Sequence, residues 1–229
     1  KAESTTTITS DAPDPSVVFQ PIVVNFTVGP KAPATGTPTG NVTVTDGTGA
    51  SCTATVAVGT CTLTPMSPGA KTLTATYEGD TVFNGSSDTE DHFVDKASTT
   101  TTINSNTPNP AYLGQTVTVT FTVAVVSPGT GTPTGMVTVS AVKLDGSVLQ
   151  CTASLAAGSC TLPFTTVGNR TLTASYPGDD NYKSSVSPGV QQQVLFVFTG
   201  FFSPLRTAGI CPSSSSSGVQ KLGSGVPFK

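Results

Sequence analysis

Tryptophan is absent from this chain, histidine occurs once and methionine twice. Charged residues make up only 10% of its 229 positions. Each scarcity removes a class of function. With 10 basic against 13 acidic residues and a net charge of -3, no positive field exists to hold a phosphate backbone, which argues against nucleic-acid partners. The missing tryptophan and the four tyrosines leave few platforms on which a sugar would stack. A lone histidine and the lack of any C-x-x-C pair argue against a zinc site built on the cysteines. No run approaches the roughly 18 apolar residues of a membrane helix, and Val194 to Phe198 suits a buried strand, so no membrane span is expected. The chain opens at Lys1 without an initiator methionine or leader, which reads as a processed protein or a fragment.

Threonine, glycine and proline are abundant instead, and strong helix formers are few. That balance favours short strands joined by tight turns. Hydrophobic residues, 36% of the chain, fall in alternating runs, which argues against disorder for most of its length. The chain reads as all-β.

The sequence also repeats itself. Thr5-Thr6-Thr7-Ile8 returns as Thr100-Thr101-Thr102-Ile103, an offset of 95 that also carries Pro13 and Pro15 onto Pro108 and Pro110. The same offset carries Thr37-Pro38-Thr39-Gly40 onto Thr132-Pro133-Thr134-Gly135. The offset then becomes 99, placing Cys52 and Cys61 on Cys151 and Cys160, and Tyr77 to Asp80 on Tyr176 to Asp179. The change falls between Ala141 and Gln150, which reads as a longer hairpin loop. Val117, Val119, Phe121 and Val123 alternate with threonines, so one face is core and the other wet. Such segments recur between turn residues at the spacing of a sandwich, about seven strands per copy. The boundaries expected are 1–95 and 96–195 for the two copies and 196–229 for an extended C-terminal tail. The linker is nearly absent, which limits motion between copies and favours an elongated rod.

The threonine-rich first strand, the Gly-x-Pro-x-Gly turns at 36–40 and 131–135, and the closing Tyr-x-Gly-Asp resemble the bacterial immunoglobulin-like repeats of secreted and cell-surface proteins. The resemblance covers roughly residues 1–195. It implies two tandem immunoglobulin-like Greek-key β-sandwiches with a spacer, stalk or adhesive role, and no active site. The tail, from Gly200-Phe201-Phe202 to Val226-Pro227-Phe228-Lys229, is similar to the start of another bacterial β-domain that follows such arrays. On that reading it is a partial third domain, or one whose missing strands come from a partner chain.

Cys52 with Cys61 and Cys151 with Cys160 are nine apart on consecutive expected strands, and a cross-strand disulfide is the natural reading. Reduced core thiols are the alternative. Duplicated pairs point to an oxidising, extracellular or cell-surface location. Cys211 is left over, as a free thiol or an interchain bond.

Candidates for chemistry are few, and no catalytic residue or cofactor is expected. His92 reads as a solvated surface residue near the repeat boundary. Asp88, Glu90, Asp91 and Asp95 beside it are candidate calcium ligands, although the second copy has no such cluster. Asp80, Asp179 and Asp180 read as ligands or catalytic carboxylates or, preferably, as turn residues bonding backbone amides, with Tyr77 and Tyr176 as packed tyrosines tied to backbone. Assembly is expected from the tail, through Val194, Phe196, Phe198, Phe201, Phe202, Val226 and Phe228 as donated strands. The function expected is a structural subunit of a surface stalk or filament, a homo-oligomer or polymer. The alternative is an adhesin or ligand-binding module of a larger secreted protein.

Overall fold

The computed structural model describes residues 1–197. The tail residues Phe198, Phe201, Phe202, Val226 and Phe228, and Cys211, lie outside the described residues.

Strand after strand is a threonine-and-valine alternation that buries one face. The first repeat contains β1 (Ser4–Ala12), β2 (Ser16–Val17), β3 (Ile22–Pro30), β4 (Asn41–Thr45), β5 (Ser51–Thr55), β6 (Thr60–Leu63), β7 (Gly69–Tyr77) and β8 (Ser86–Asp95). One sheet runs β1-β3-β6 and the other β2-β8-β7-β4-β5. Between them lie Ile22, Val24, Phe26, Val42, Val44, Leu73 and Tyr77, all buried. The first strand changes sheets: Pro13 and Pro15 have no N–H for a ladder, and after them β2 pairs parallel with β8.

The second repeat uses β9 (Thr99–Thr107), β10 (Ala111–Tyr112), β11 (Thr116–Val125), β12 (Met136–Lys143), β13 (Val148–Ser154), β14 (Ser159–Pro163), β15 (Gly168–Tyr176), β16 (Ser185–Val186) and β17 (Val190–Leu195). Its sheets are β14-β11-β9 and β10-β17-β15-β12-β13, with β16 also on β15. The two tandem sandwiches therefore share one topology. The expected seven strands become eight and nine, because the sheet-switching segment forms its own short strand and Pro188-Gly189 divide the last one.

Each sandwich is closed on both open sides by a device visible in the sequence. On one side, inward Ser4 and Thr6 of β1 bond Ser86 Oγ of β8 at 2.8 and 2.7 Å. Thr99 and Thr101 do the same with Ser185 at 2.8 and 2.7 Å. Short hydroxyls are needed there, since their bonds satisfy polar groups as the two sheets meet. On the other side, disulfides Cys52–Cys61 and Cys151–Cys160 tie β5 to β6 and β13 to β14, each with Cα atoms 5.9 Å apart. The partners belong to different sheets, so each bond staples the sandwich shut rather than cross-linking a hairpin.

Two expectations are corrected here. The added residues near Ala141 to Gln150 do not lengthen the loop. They extend the strands, to eight residues in β12 and seven in β13 against five each in β4 and β5. Val194 is not free for assembly, because it sits in β17, is 2% exposed and belongs to the second core. Among the described residues no helix is long and apolar enough to cross a membrane.

Candidate functional site at the repeat junction

The two sequence motifs of each repeat fold into one clamp. Asp80 Oδ1 accepts from the N–H groups of Val82 and Phe83, each at 2.7 Å, while Oδ2 accepts from Thr39 N at 2.8 Å and Thr39 Oγ1 at 2.9 Å. Tyr77 donates its hydroxyl to Thr39 O at 2.7 Å. Asp179 repeats the arrangement with Asn181, Tyr182 and Thr134, all at 2.9 Å. The Gly-x-Pro-x-Gly turn supplies donors and the Tyr-x-Gly-Asp turn supplies the carboxylate. Backbone N–H bonds from Phe83 and Thr39 hold Asp80 well below the usual carboxylate range. For Asp179 burial opposes the shift, but bonds from Thr134 and Asn181 win and lower it. Both carboxylates are thus fully engaged as acceptors in their turns.

Tyr176 differs from Tyr77. Its hydroxyl is buried beside Asp179 without a well-directed hydrogen bond, and burial followed by that carboxylate pushes the phenol up to about 12.

The clamp of the second repeat faces the end of the first. Residues 17–20 form a turn in which Val18 N donates to Asp95 O and Phe19 N to Pro65 O, both at 2.9 Å. Residues 112–115 make the same turn, with Leu113 N on Leu195 O at 2.8 Å and Gly114 N on Phe164 O at 2.9 Å. The third position is left-handed in both copies, with φ 64° at Phe19 and 85° at Gly114. Glycine adopts that conformation freely and phenylalanine does not. The turn therefore does not call for Phe19; its neighbours across the junction do. Its ring lies 6.5 Å from that of Tyr182, its carbonyl accepts from Thr130 Oγ1 at 3.4 Å, and Gly131 leaves room for both rings.

Beneath this contact the apolar cluster of the second repeat reaches into the first, while Ile22, Val24, Phe26, Leu73 and their neighbours form a separate core of the first repeat. Val18 and Val94 of the first repeat and Ala97 of the link are fully buried and belong to the same cluster as Val117, Phe121 and Leu172 of the second. Lys183 of the second repeat meets Asp95 of the first at 3.8 Å, a half-exposed pair of small energetic weight. An open cleft of about 620 Å³ remains at the junction, lined by Phe19, Thr64, Thr132, Asp180, Asn181 and Tyr182 among others.

The acids expected as calcium ligands are not brought together. They lie along β8, where alternation sends Asp88 and Glu90 to one face and Asp91 and Asp95 to the other. Asp88 Oδ2 instead accepts from Ile8 N at 2.8 Å. The reading of His92 as a solvated residue is wrong. Its side chain is fully buried between Asp11 and Ser16, on the inward face of β8 with Val94. Nothing in the sequence pattern singled out Phe19 or placed His92 inward, yet both stand where the two copies differ, Phe19 against Gly114 and His92 against Gln192.

The model of the bacterial Ig-like domain (group 3) matches residues 8–94 and again 99–195. The chain belongs to this family. Members are typically non-catalytic, and the clamps and cores above are what its two matches contain. No curated protein matches the sequence. Among solved structures, invasin, described as a bacterial integrin-binding protein, is 20% identical with a TM-score of 0.51. That match covers 82% of this chain and 39% of invasin. The fibronectin(III)-like modules of Clostridium thermocellum CbhA are 18% identical with a TM-score of 0.34, over 83% of this chain and 93% of theirs. The Yersinia pseudotuberculosis adhesin InvE is 17% identical with a TM-score of 0.38, over 82% of this chain and 58% of its own. The likeness to invasin shows the fold.

Proposed function

We propose that the chain is a structural spacer of an extracellular or cell-surface protein, which holds whatever it carries at a fixed distance and orientation. The observation that supports this most is the apolar cluster that crosses the junction through Val18, Val94 and Ala97, with Phe19 seated between Thr130 and Tyr182. A flexible tether needs no such joint, and a phenylalanine in a left-handed conformation is retained only where its contacts offset the strain. The disulfides fit an oxidising exterior. Assembly into a stalk or filament through strands of the C-terminal segment belongs to the same proposal. Residual dipolar couplings test the spacer: both repeats should report one alignment tensor, and two independent tensors would overturn it. Light scattering of the whole chain tests assembly, since a strict monomer at all concentrations is incompatible with it.

A second reading, an adhesive or ligand-binding module, draws on the junction cleft. Phe19 and Tyr182 offer apolar faces there beside the polar Asp180, Asn181 and Thr132. Chemical-shift changes confined to these residues on screening against glycans or receptor peptides would favour it over the spacer.

A further inference from the structure

The first repeat holds a cluster that the spacer reading does not use. The His92 ring is fully buried, with Nδ1 2.5 Å from Asp11 Oδ2 and 3.4 Å from Asp14 Oδ1. Its Nε2 lies 2.8 Å from Ser16 Oγ, which is itself buried. One ligand atom from each of Asp11, Asp14 and His92 falls within a 4.8 Å span. The three come from the end of β1, the proline-bounded link after it, and β8.

The second repeat shows what this position needs for structure alone. Asp11 and Asp14 correspond to Asn106 and Asn109, and His92, opposite Lys71, corresponds to Gln192, opposite Arg170. There Asn106 Nδ2 donates to Gln192 Oε1 at 2.8 Å, and Asn109 Oδ1 accepts from Gln193 N at 3.1 Å, as Asp14 Oδ1 accepts from Phe93 N at 3.2 Å. Three neutral amides therefore suffice to fasten the first strand to the last. In the first repeat all three positions carry instead groups that ligate metals.

We propose that Asp11, Asp14 and His92 bind a divalent first-row transition ion such as zinc, with water completing the coordination. Tetrahedral donors about 2.0–2.2 Å from zinc stand roughly 3.3–3.6 Å apart. Nδ1 and Asp14 Oδ1, at 3.4 Å, already have that separation, and Asp11 must withdraw by about 1 Å to match the same tetrahedral spacing. The Asp14 side chain is 42% exposed, which provides the route of entry and the open side for water. Ser16 serves as the outer partner: when the ion occupies Nδ1, Nε2–H donates to Ser16 Oγ and fixes the ring. Protons balance simply. An imidazolium releases its Nδ1 proton to solvent, while a neutral ring carrying hydrogen on Nδ1 shifts it to Nε2; the carboxylates bind ionised. One imidazole with two carboxylates suits zinc or manganese better than calcium, which gathers six to eight oxygens. The bound ion joins β1, the link and β8 at one point, and it is independent of the spacer role.

The test uses the untagged whole chain and zinc alone. His92 is the sole histidine, so its imidazole nitrogens are identified without assignment in a long-range proton–nitrogen spectrum. Zinc should move the Nδ1 signal and saturate at one equivalent. The variant Asp11→Asn/Asp14→Asn/His92→Gln, which adopts the residue types of the second repeat, should bind one equivalent fewer by calorimetry. Zinc held by Cys211 is common to both proteins and cancels. Ser16→Ala should weaken binding about 10-fold or more with the stoichiometry kept. Unmoved His92 signals in excess zinc, or equal stoichiometry in the triple variant, would overturn the site. Should the triple variant fail to fold, Asp14→Asn alone decides: a loss of about 10-fold or more supports the site, and unchanged affinity refutes it.

Discussion

Replacing Phe19 by alanine and by glycine separates what its backbone costs from what its ring contributes. Both substitutions remove the ring contact with Tyr182 and the packing against Gly131. A half-buried phenyl group with one tilted aromatic neighbour is worth roughly 1–3 kcal/mol. Only alanine keeps the penalty of a left-handed residue at φ 64°, about 1–2 kcal/mol, and Gly114 shows that glycine sits in this turn without it. Phe19→Gly should therefore leave the first repeat close to its native stability, and Phe19→Ala should lower it by about 1 kcal/mol more than glycine does. For a domain of this size that difference is about 4–8 °C in melting temperature. Scanning calorimetry reads both effects. The native chain, with buried residues of the first repeat packed into the core of the second, should melt in one cooperative transition, and both variants should resolve into two. If the alanine and glycine variants melt together, Phe19 holds no backbone strain. If either retains the single native transition, the ring does not couple the repeats.

Three further outcomes follow from the same contacts. Gly131→Ala should disrupt the junction while Gly36→Ala does not, because an added Cβ would meet Tyr182 Oη at 2.2 Å in one and only Phe83 at 3.5 Å in the other, although both glycines have positive φ; matched melting temperatures would refute this. Replacing either cystine pair by alanine should cost up to about 3 kcal/mol in denaturant titrations, since each closes a loop of nine residues' separation; a cost near zero would mean the sandwich edge needs no staple. In alkaline titration followed by phenolate absorbance, one tyrosine should ionise at about 12 and vanish in Tyr176→Phe. Its folded value lies above the ordinary one, so the associated stability is complete below about pH 10 and is lost as the pH climbs towards 12.

Strand content, the repeat and both cystines were legible because each depends on local spacing: alternation sets the buried face, and the duplicated cysteine interval recurs at matching strand positions. The clamp was half legible. Asp80 was readable as a turn residue, but its second set of donors, on Thr39, is 41 residues away and only the fold joins them. His92 was misread for a related reason. In Asp88-Thr89-Glu90-Asp91-His92 every neighbour is polar, so the run looks wet, while strand alternation turns this histidine inward onto Asp11, 81 residues away. The extended β12–β13 hairpin escaped because an insertion of even effective length preserves alternation and lengthens strands as readily as a loop.

The internal repeat makes each copy a control for the other. Where the fold needs a residue, the copies agree: Asp80 with Asp179 in the same hydrogen bonds, and Tyr77 with Tyr176 and Leu73 with Leu172 equally buried. One place where they part is a surface that meets something beyond its own sandwich. Val17, Val18 and Phe19 cover the second repeat, and their counterparts are Tyr112, Leu113 and Gly114, of which Tyr112 and Leu113 are 44% and 40% exposed. A turn with the same hydrogen bonds thus ends in apolar side chains in both copies, one set covered and the other open beside Phe196, itself 69% exposed. Apolar residues on a turn that needs none for its own geometry carry a hydration cost unless a neighbour covers them. The junction between the repeats shows what such a neighbour does, which makes this end of the second repeat the place to test the proposed assembly. Charged substitutions at Tyr112 and Leu113 should abolish any self-association of the whole chain while leaving its single melting transition in place.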